Sequence, residues 1–373
     1  MRSETTKLQV GWLKTSRSLL VPESLRGACP PAESTVCRTA CSAHRSQAEE
    51  EIKRWTGADS SRRQLMLAGA AFALAPVVLP GLALADDGKT VRTVLGVNNL
   101  STFQRRAQKQ QIKDRAAREL KKVLTPGDAN LALRLVFNDA GTYDVATDTG
   151  GVDGSVFLDE ELKRPENQIL KPLVAKLAKA KKAIDEQGAV FGQGPISWAD
   201  LGCLAVREAT MAEWRKIKIS RAPVVSGGET IADAFGSPFE VALGRIDSGV
   251  PSPAGRIPGD DASLDEIHAY LTALGNKNPE GGFGKPKPPF WERPSFVLWT
   301  AAQADPEAAE QRFSADPRYA GYKKKYDMSR RTVTRSEYEV DFAEYFYKLA
   351  NLGAKFDKDA YLYSTVIQLP KLS

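Results

Sequence analysis

Only two histidines, His44 and His268, are spread over 373 residues, and that scarcity limits the chemistry before any element is drawn. Metal centres and acid–base sites that need several imidazoles are excluded, and any Ser/His/Asp triad would have to use His268. Cys29, Cys37 and Cys41 fall in the first 45 residues. The body of the chain therefore holds Cys203 alone, expected as a buried thiol on the apolar side of a helix, with no intramolecular disulfide. No G-x-S-x-G, Walker or C-x-x-C pattern occurs. Arg134, Phe137 and Asn138 stand three and four residues apart, a spacing that gathers them on one helical face. A guanidinium there can stabilise negative charge, but an amide has no titratable group near neutral pH and cannot act as a general base. Residues 318–335 carry seven Lys/Arg, one Asp and three tyrosines. Such a run suits a solvated basic helix face, or a contact with an anionic membrane surface or acidic partner.

A leader has to be set aside before these residues are placed. Residues 64–85 run without a charge and are long enough to span a bilayer. Pro76 and Pro80 interrupt them, however, and Ala83-Leu84-Ala85 closes them with a small-x-small cleavage pattern. With Arg62-Arg63 in front, residues 62–85 resemble a twin-arginine export signal. Residues 1–61, rich in Ser, Thr, Ala and Arg, look like a chloroplast transit peptide, although the acidic triplet Glu49-Glu50-Glu51 is atypical. The two-part address predicts the thylakoid lumen and leaves 86–373 as the working domain. The leader holds 11 Lys and Arg against 7 Asp and Glu, so the net charge falls from +6 to +2 after Ala85. Nucleic-acid binding driven by global charge is not expected.

The remaining composition, within a chain 42% hydrophobic and 26% charged, fits an ordinary globular fold. A charged helix over 101–124 places Ile112, Ala116, Leu120 and Val123 on one face, and an apolar helix runs from Ala129 to Asn138. Residues 168–187 gather Leu170, Val174, Leu177 and Ala180. Ser197 caps a buried helix through Leu201, Leu204, Ala205 and Val206. Leu264–Leu274 is short and amphipathic, and His268 projects about 100° from its apolar Ile267, toward solvent. A Gly/Pro-rich loop follows over 276–294, with Phe283, Phe290 and Trp291 as a second candidate contact. Ser336–Ala350 is again helical. No alternating strand pattern longer than a few residues is present, so the fold is expected to be mainly α and single-domain.

The stretch Leu133-Arg134-Leu135-Val136-Phe137-Asn138-Asp139-Ala140-Gly141-Thr142 resembles the distal haem helix of class I plant-type peroxidases, R-x-x-W/F-H-x-A-G-T. Further stretches match in the family's order: Gly150-Gly151, Arg164-Pro165-Glu166-Asn167, Ser197-Trp198-Ala199-Asp200, and Gly244-Arg245-Ile246-Asp247-Ser248 with Pro253 to Pro258. Asp316-Pro317 to Tyr326 and Phe342 to Phe356 match its closing helices. The combination is most similar to ascorbate-peroxidase-like members of the thylakoid lumen, the compartment the leader also predicts. The resemblance implies a haem-peroxidase-like helical fold in which Arg134 and Asn138 hold the distal positions.

Asn138 stands where the family has its distal His. The proximal A-L-S-G-x-H-T motif is absent, and Leu271-Thr272-Ala273-Leu274-Gly275 runs straight into the Gly/Pro-rich loop. The proximal region reads as deleted or replaced. A near match, Val225-Ser226-Gly227-Gly228-Glu229, precedes the loop that the proximal helix should follow and reads as an enlarged turn with an exposed Glu229. The expectation is therefore a haem-free, non-catalytic lumenal protein with a binding or structural role. Its partner would be the lumenal membrane face or a photosynthetic complex, met through Arg318, Lys323, Lys324, Lys325, Arg330 and Arg331. The rival is an ascorbate-peroxidase-like enzyme reducing hydrogen peroxide, with haem held unconventionally by His268. A third reading is a small-molecule binder that uses Arg134 on an anion.

Overall fold

The computed structural model describes residues 90–144, 146–234, 240–259, 261–274, 296–332 and 336–370. The predicted transit peptide, the twin-arginine signal and the loop at 276–294 with its three aromatics lie outside the described residues. The first element is a strand, β1 (Thr90–Leu95), paired antiparallel with the last, β2 (Thr365–Pro370), in a register that sets Thr90 opposite Pro370 and Leu95 opposite Thr365. No alternating pattern in the sequence marks this pair, and the fold remains mainly α as expected. Each partner is only six residues, and the β-branched Thr, Val and Ile that favour a pleated ladder lie at opposite ends of the chain.

Between the strands the chain is helical. α1 (Thr102–Val123) opens with a reciprocal cap: Ser101 Oγ accepts from the Gln104 amide while Gln104 Oε1 accepts from the Ser101 amide. It buries Ile112, Ala116 and Leu120, as their spacing predicts. α2 (Ala129–Ala140) is buried at every position from Ala132 to Ala140, so it runs through the interior with partners on all sides. α3 (Asp159–Leu162) is a single turn, and a 3₁₀ segment, Pro165–Leu170, leads into α4 (Lys171–Ala189), which buries Leu173, Leu177, Ala180 and Ile184. α5 (Trp198–Arg221) starts on Ser197, whose Oγ accepts from the Asp200 amide, and packs against α1 and α2.

α6 (Val225–Ala234) occupies the segment expected to be an enlarged turn. It packs on α5 so closely that a Cβ on Gly228 would sit 2.7 Å from that of Ala222, while Glu229 is exposed. The small residues that read as a loop permit this approach. α7 (Leu264–Ala273) buries Ile267 and Leu271. α8 (Phe296–Ala301), α9 (Pro306–Ser314) and α10 (Pro317–Ser329) follow, and α11 (Glu337–Ala350) closes the core with Phe342, Tyr345, Phe346 and Leu349. One apolar cluster joins α1, α2, α4, α5, α7, α8 and α11. Among the described residues no helix is long and apolar enough to cross a membrane.

Candidate functional site

The spacing of Arg134, Phe137 and Asn138 does what the sequence predicts: all three line one cavity of about 550 Å³ beside α2. Arg164, Glu166 and Trp299 complete its wall. Asn138 is buried, and its Nδ2 donates to Asn167 Oδ1 at 2.8 Å. Asn167 in turn donates to the Glu161 carbonyl at 3.0 Å, so the Arg164-Pro165-Glu166-Asn167 segment serves to orient the distal amide. Arg164 is drawn aside, donating to the Ser252 carbonyl and standing 3.5 Å from the fully buried Glu161 carboxylate. Arg134 is itself buried.

The opposite wall is filled from the chain's second half. Trp299 of α8 meets Phe137 edge to face, with centroids 5.4 Å apart and planes at 78°. Tyr270 of α7 stands edge-on to Trp299 and donates to the Gly141 carbonyl at 3.0 Å, which ties α7 to the end of α2. Burial pushes the Tyr270 phenol far above its ordinary range, so it stays protonated there as a donor.

Haem, which the resemblance implies, is held through His, Cys, Met or Tyr. None of these types lines this cavity among the described residues. His268 lies on the exposed face of α7, as expected, and its Nδ1 shares a hydrogen bond with the Tyr319 hydroxyl. Cys203 is completely buried in α5, and burial pushes its thiol up to about 12, which keeps it neutral. Glu229 is exposed on α6 and does not line the cavity either. The described donor set does not fit haem, and Asn138 supplies no base. Nor do any three His, Cys, Asp or Glu among the described residues cluster as a metal site.

Two carboxylates that the sequence reading left without a role organise the surroundings. Asp139, next to Asn138, turns away from the cavity. It accepts from the Gly154 amide at 2.8 Å and the Val156 amide at 3.2 Å, securing the glycine-rich turn that matched the family. Gly154 takes a φ of 73°, a conformation L side chains rarely adopt. Asp247 accepts from the Trp198 and Ala199 amides at 2.7 and 3.0 Å, satisfying orphan donors at the start of α5. The signal for both was present in the retained motifs; only the fold shows that their work is structural.

The basic run at 318–335 lies mostly on α10, and most of its cations are paired. Arg318 reaches Asp265 and Asp316, Lys323 reaches Asp327, Lys325 reaches Glu337 and Arg330 reaches Glu310, all within 2.9 Å. Lys324 and Arg331 make no ion pair with another described residue. The segment therefore presents less free positive charge than its composition suggests.

The mainly helical architecture and the distal-helix geometry are those of a peroxidase. A family model described as Peroxidase matches residues 100–280. The crystal structure of the TL29 protein from Arabidopsis thaliana is 30% identical, with a TM-score of 0.59, over 70% of this chain and 98% of that one. The chain belongs to the peroxidase family. It is also 34% identical over 238 residues to the thylakoid lumenal 29 kDa protein, chloroplastic, of Solanum lycopersicum, and 33% identical over 248 residues to the protein of that name in Arabidopsis thaliana. These alignments cover 62% and 64% of this chain, and 64% and 66% of the relatives' own lengths, just under two thirds. The thylakoid lumen, predicted from the leader, is the compartment these relatives support.

Proposed function

We propose that this protein is a haem-free, non-catalytic member of the peroxidase family with a binding or structural role in the thylakoid lumen. The observation that carries the reading is the cavity beside α2. Its distal position is an amide locked to Asn167, and its described lining offers no ligand for haem iron. Peroxide cleavage needs a group that moves a proton between the two oxygens, and Asn138 cannot do so at any working pH. Arg134 remains as a buried cation able to meet negative charge. The partner this reading assigns is the lumenal membrane face or a photosynthetic complex, with Lys324 and Arg331 as the described cations of the basic segment that make no ion pair with another described residue.

Haem titration of the chain from residue 86, followed by visible spectroscopy, tests the reading. The expected result is a folded helical protein with no saturable Soret band and no peroxide-dependent turnover. A saturable band lost in His268→Ala would overturn it in favour of an ascorbate-peroxidase-like enzyme that uses an unconventional ligand.

A further inference from the structure

The way the Asn138 amide points follows from the groups behind it. A backbone carbonyl can only accept, so the Asn167 atom that meets the Glu161 carbonyl at 3.0 Å is Nδ2. Asn167 Oδ1 is thereby turned toward Asn138, whose Nδ2 donates to it at 2.8 Å. Asn138 Oδ1 must then face the other way, and no described residue donates to it. Asn138 is buried, and the little surface it keeps lies in the cavity of about 550 Å³ that it lines. Its Oδ1 is not sealed inside the protein but open to that cavity. A buried acceptor with no protein donor calls for a donor from outside.

The surface around this acceptor is largely apolar. Phe137, Ile169, Ile257, Pro258 and Trp299 line the same space, and Phe137 and Trp299 meet edge to face. Charge on the wall is mixed. Arg164 stands against Glu161, and the other charged residues of the described lining, Arg134 and Glu166, are one of each sign. The wall therefore selects for apolar surface and for a hydrogen-bond donor rather than for a net charge. Its volume is that of a pocket for a small organic ligand.

We propose that the cavity beside α2 binds an uncharged aromatic molecule carrying an N–H or O–H group, which donates to Asn138 Oδ1 while the ring lies against Phe137 and Trp299. A ring without a donor would leave the acceptor bare. A donor without a ring would give up the apolar burial. The proposal gives the haem-free reading a ligand class and rests on that reading, since haem would fill the same space.

Calorimetric titration of the chain from residue 86 with 3-methylindole and with 1-methylindole tests the proposal. The two are isomers of equal size, and only the first carries a hydrogen on the ring nitrogen. The expected result is saturable one-to-one binding of 3-methylindole, with 1-methylindole at least about tenfold weaker. Asn138→Leu keeps the size of the side chain and removes the acceptor. It should lower 3-methylindole to the affinity of 1-methylindole, whose own binding should be unchanged and reports an intact cavity. Absence of saturable binding, equal affinity for the two isomers on the native chain, or discrimination that survives in Asn138→Leu would each overturn the proposal. The comparison on the native chain decides without the variant. Haem titration of the same preparation separates the two readings. No indole binding and no Soret band overturns this proposal alone, whereas a saturable Soret band overturns the haem-free reading and this proposal with it.

Discussion

At Asn138 and Asp139, two adjacent side chains on one helix do unrelated work, one facing the cavity and the other supporting a turn. Burial pushes the Asp139 carboxyl well above its ordinary range, and the nearby Asp153 charge adds to this, while the Gly154 and Val156 amides pull the other way. Its folded pKa is raised, so the folded chain holds this proton more tightly than the unfolded chain does. That contribution to stability is complete below the ordinary carboxylate value of about 3.9 and is lost as pH rises through the raised value. The thermal midpoint of the native protein should therefore fall, relative to Asp139→Asn, as pH is raised from about 4. The amide variant cannot ionise, and its profile should be flatter. Parallel midpoint-against-pH curves would show that the two amides keep Asp139 ionised in the fold.

One fully buried ion pair ties distant elements together within the apolar core. Asp200, in the first turn of α5, meets the Arg245 guanidinium at 2.6 Å, and both side chains are fully buried. Asp200 also accepts from the Gly244 amide at 2.6 Å and the Tyr361 hydroxyl at 2.7 Å. Arg245 Nε reaches the Ala350 carbonyl at 2.9 Å. The S-W-A-D and G-R-x-D matches thus bind the start of α5 to the end of α11 and to the chain leading into β2. Arg245→Met would leave Asp200 charged and buried, a loss of about 3–5 kcal/mol. The urea midpoint should fall accordingly, and Asp200→Asn added to Arg245→Met should recover part of the loss. A change under about 1 kcal/mol in the single variant would mean that water reaches the pair.

Across the whole molecule, β1 and β2 bring residues near position 90 beside those near 370, and Gln108 of α1 ties this closure to Thr365 Oγ1 at 2.9 Å. A two-stranded ladder has little stability of its own, so the helical core should not depend on it. Ending the chain at Ser364 should leave the far-ultraviolet helical signal intact. Unfolding free energy should drop by about 1–2 kcal/mol, the worth of a few net hydrogen bonds. Collapse of the helical signal would mean that closure of the ends is needed for the core to form. The paired cations of α10 belong to this scale too, because their partners come from α7, α9 and α11 as well as from α10 itself.

By itself the sequence determined the helices with strong local signals. Ser197 caps where it was expected to, Ser101, Ser263 and Ser336 cap their helices in the same way, and the 3.6-residue period around Ile112, Leu177 and Phe342 marked the buried faces. It also determined that the distal position cannot do acid–base chemistry, because that follows from the identity of Asn138 whatever surrounds it. Tertiary structure alone decided the strand pair, since β1 and β2 meet from opposite ends of the domain. It likewise decided that α6 is a helix, where close packing on α5 outweighs the weak propensity of Gly227-Gly228. The partners of Asp139 and Asp247, the pairing of most cations in the basic segment and the far wall of the cavity beside α2 were equally beyond local reading. Each depends on side chains far apart in the chain, and their meeting is set by packing, to which local spacing is blind.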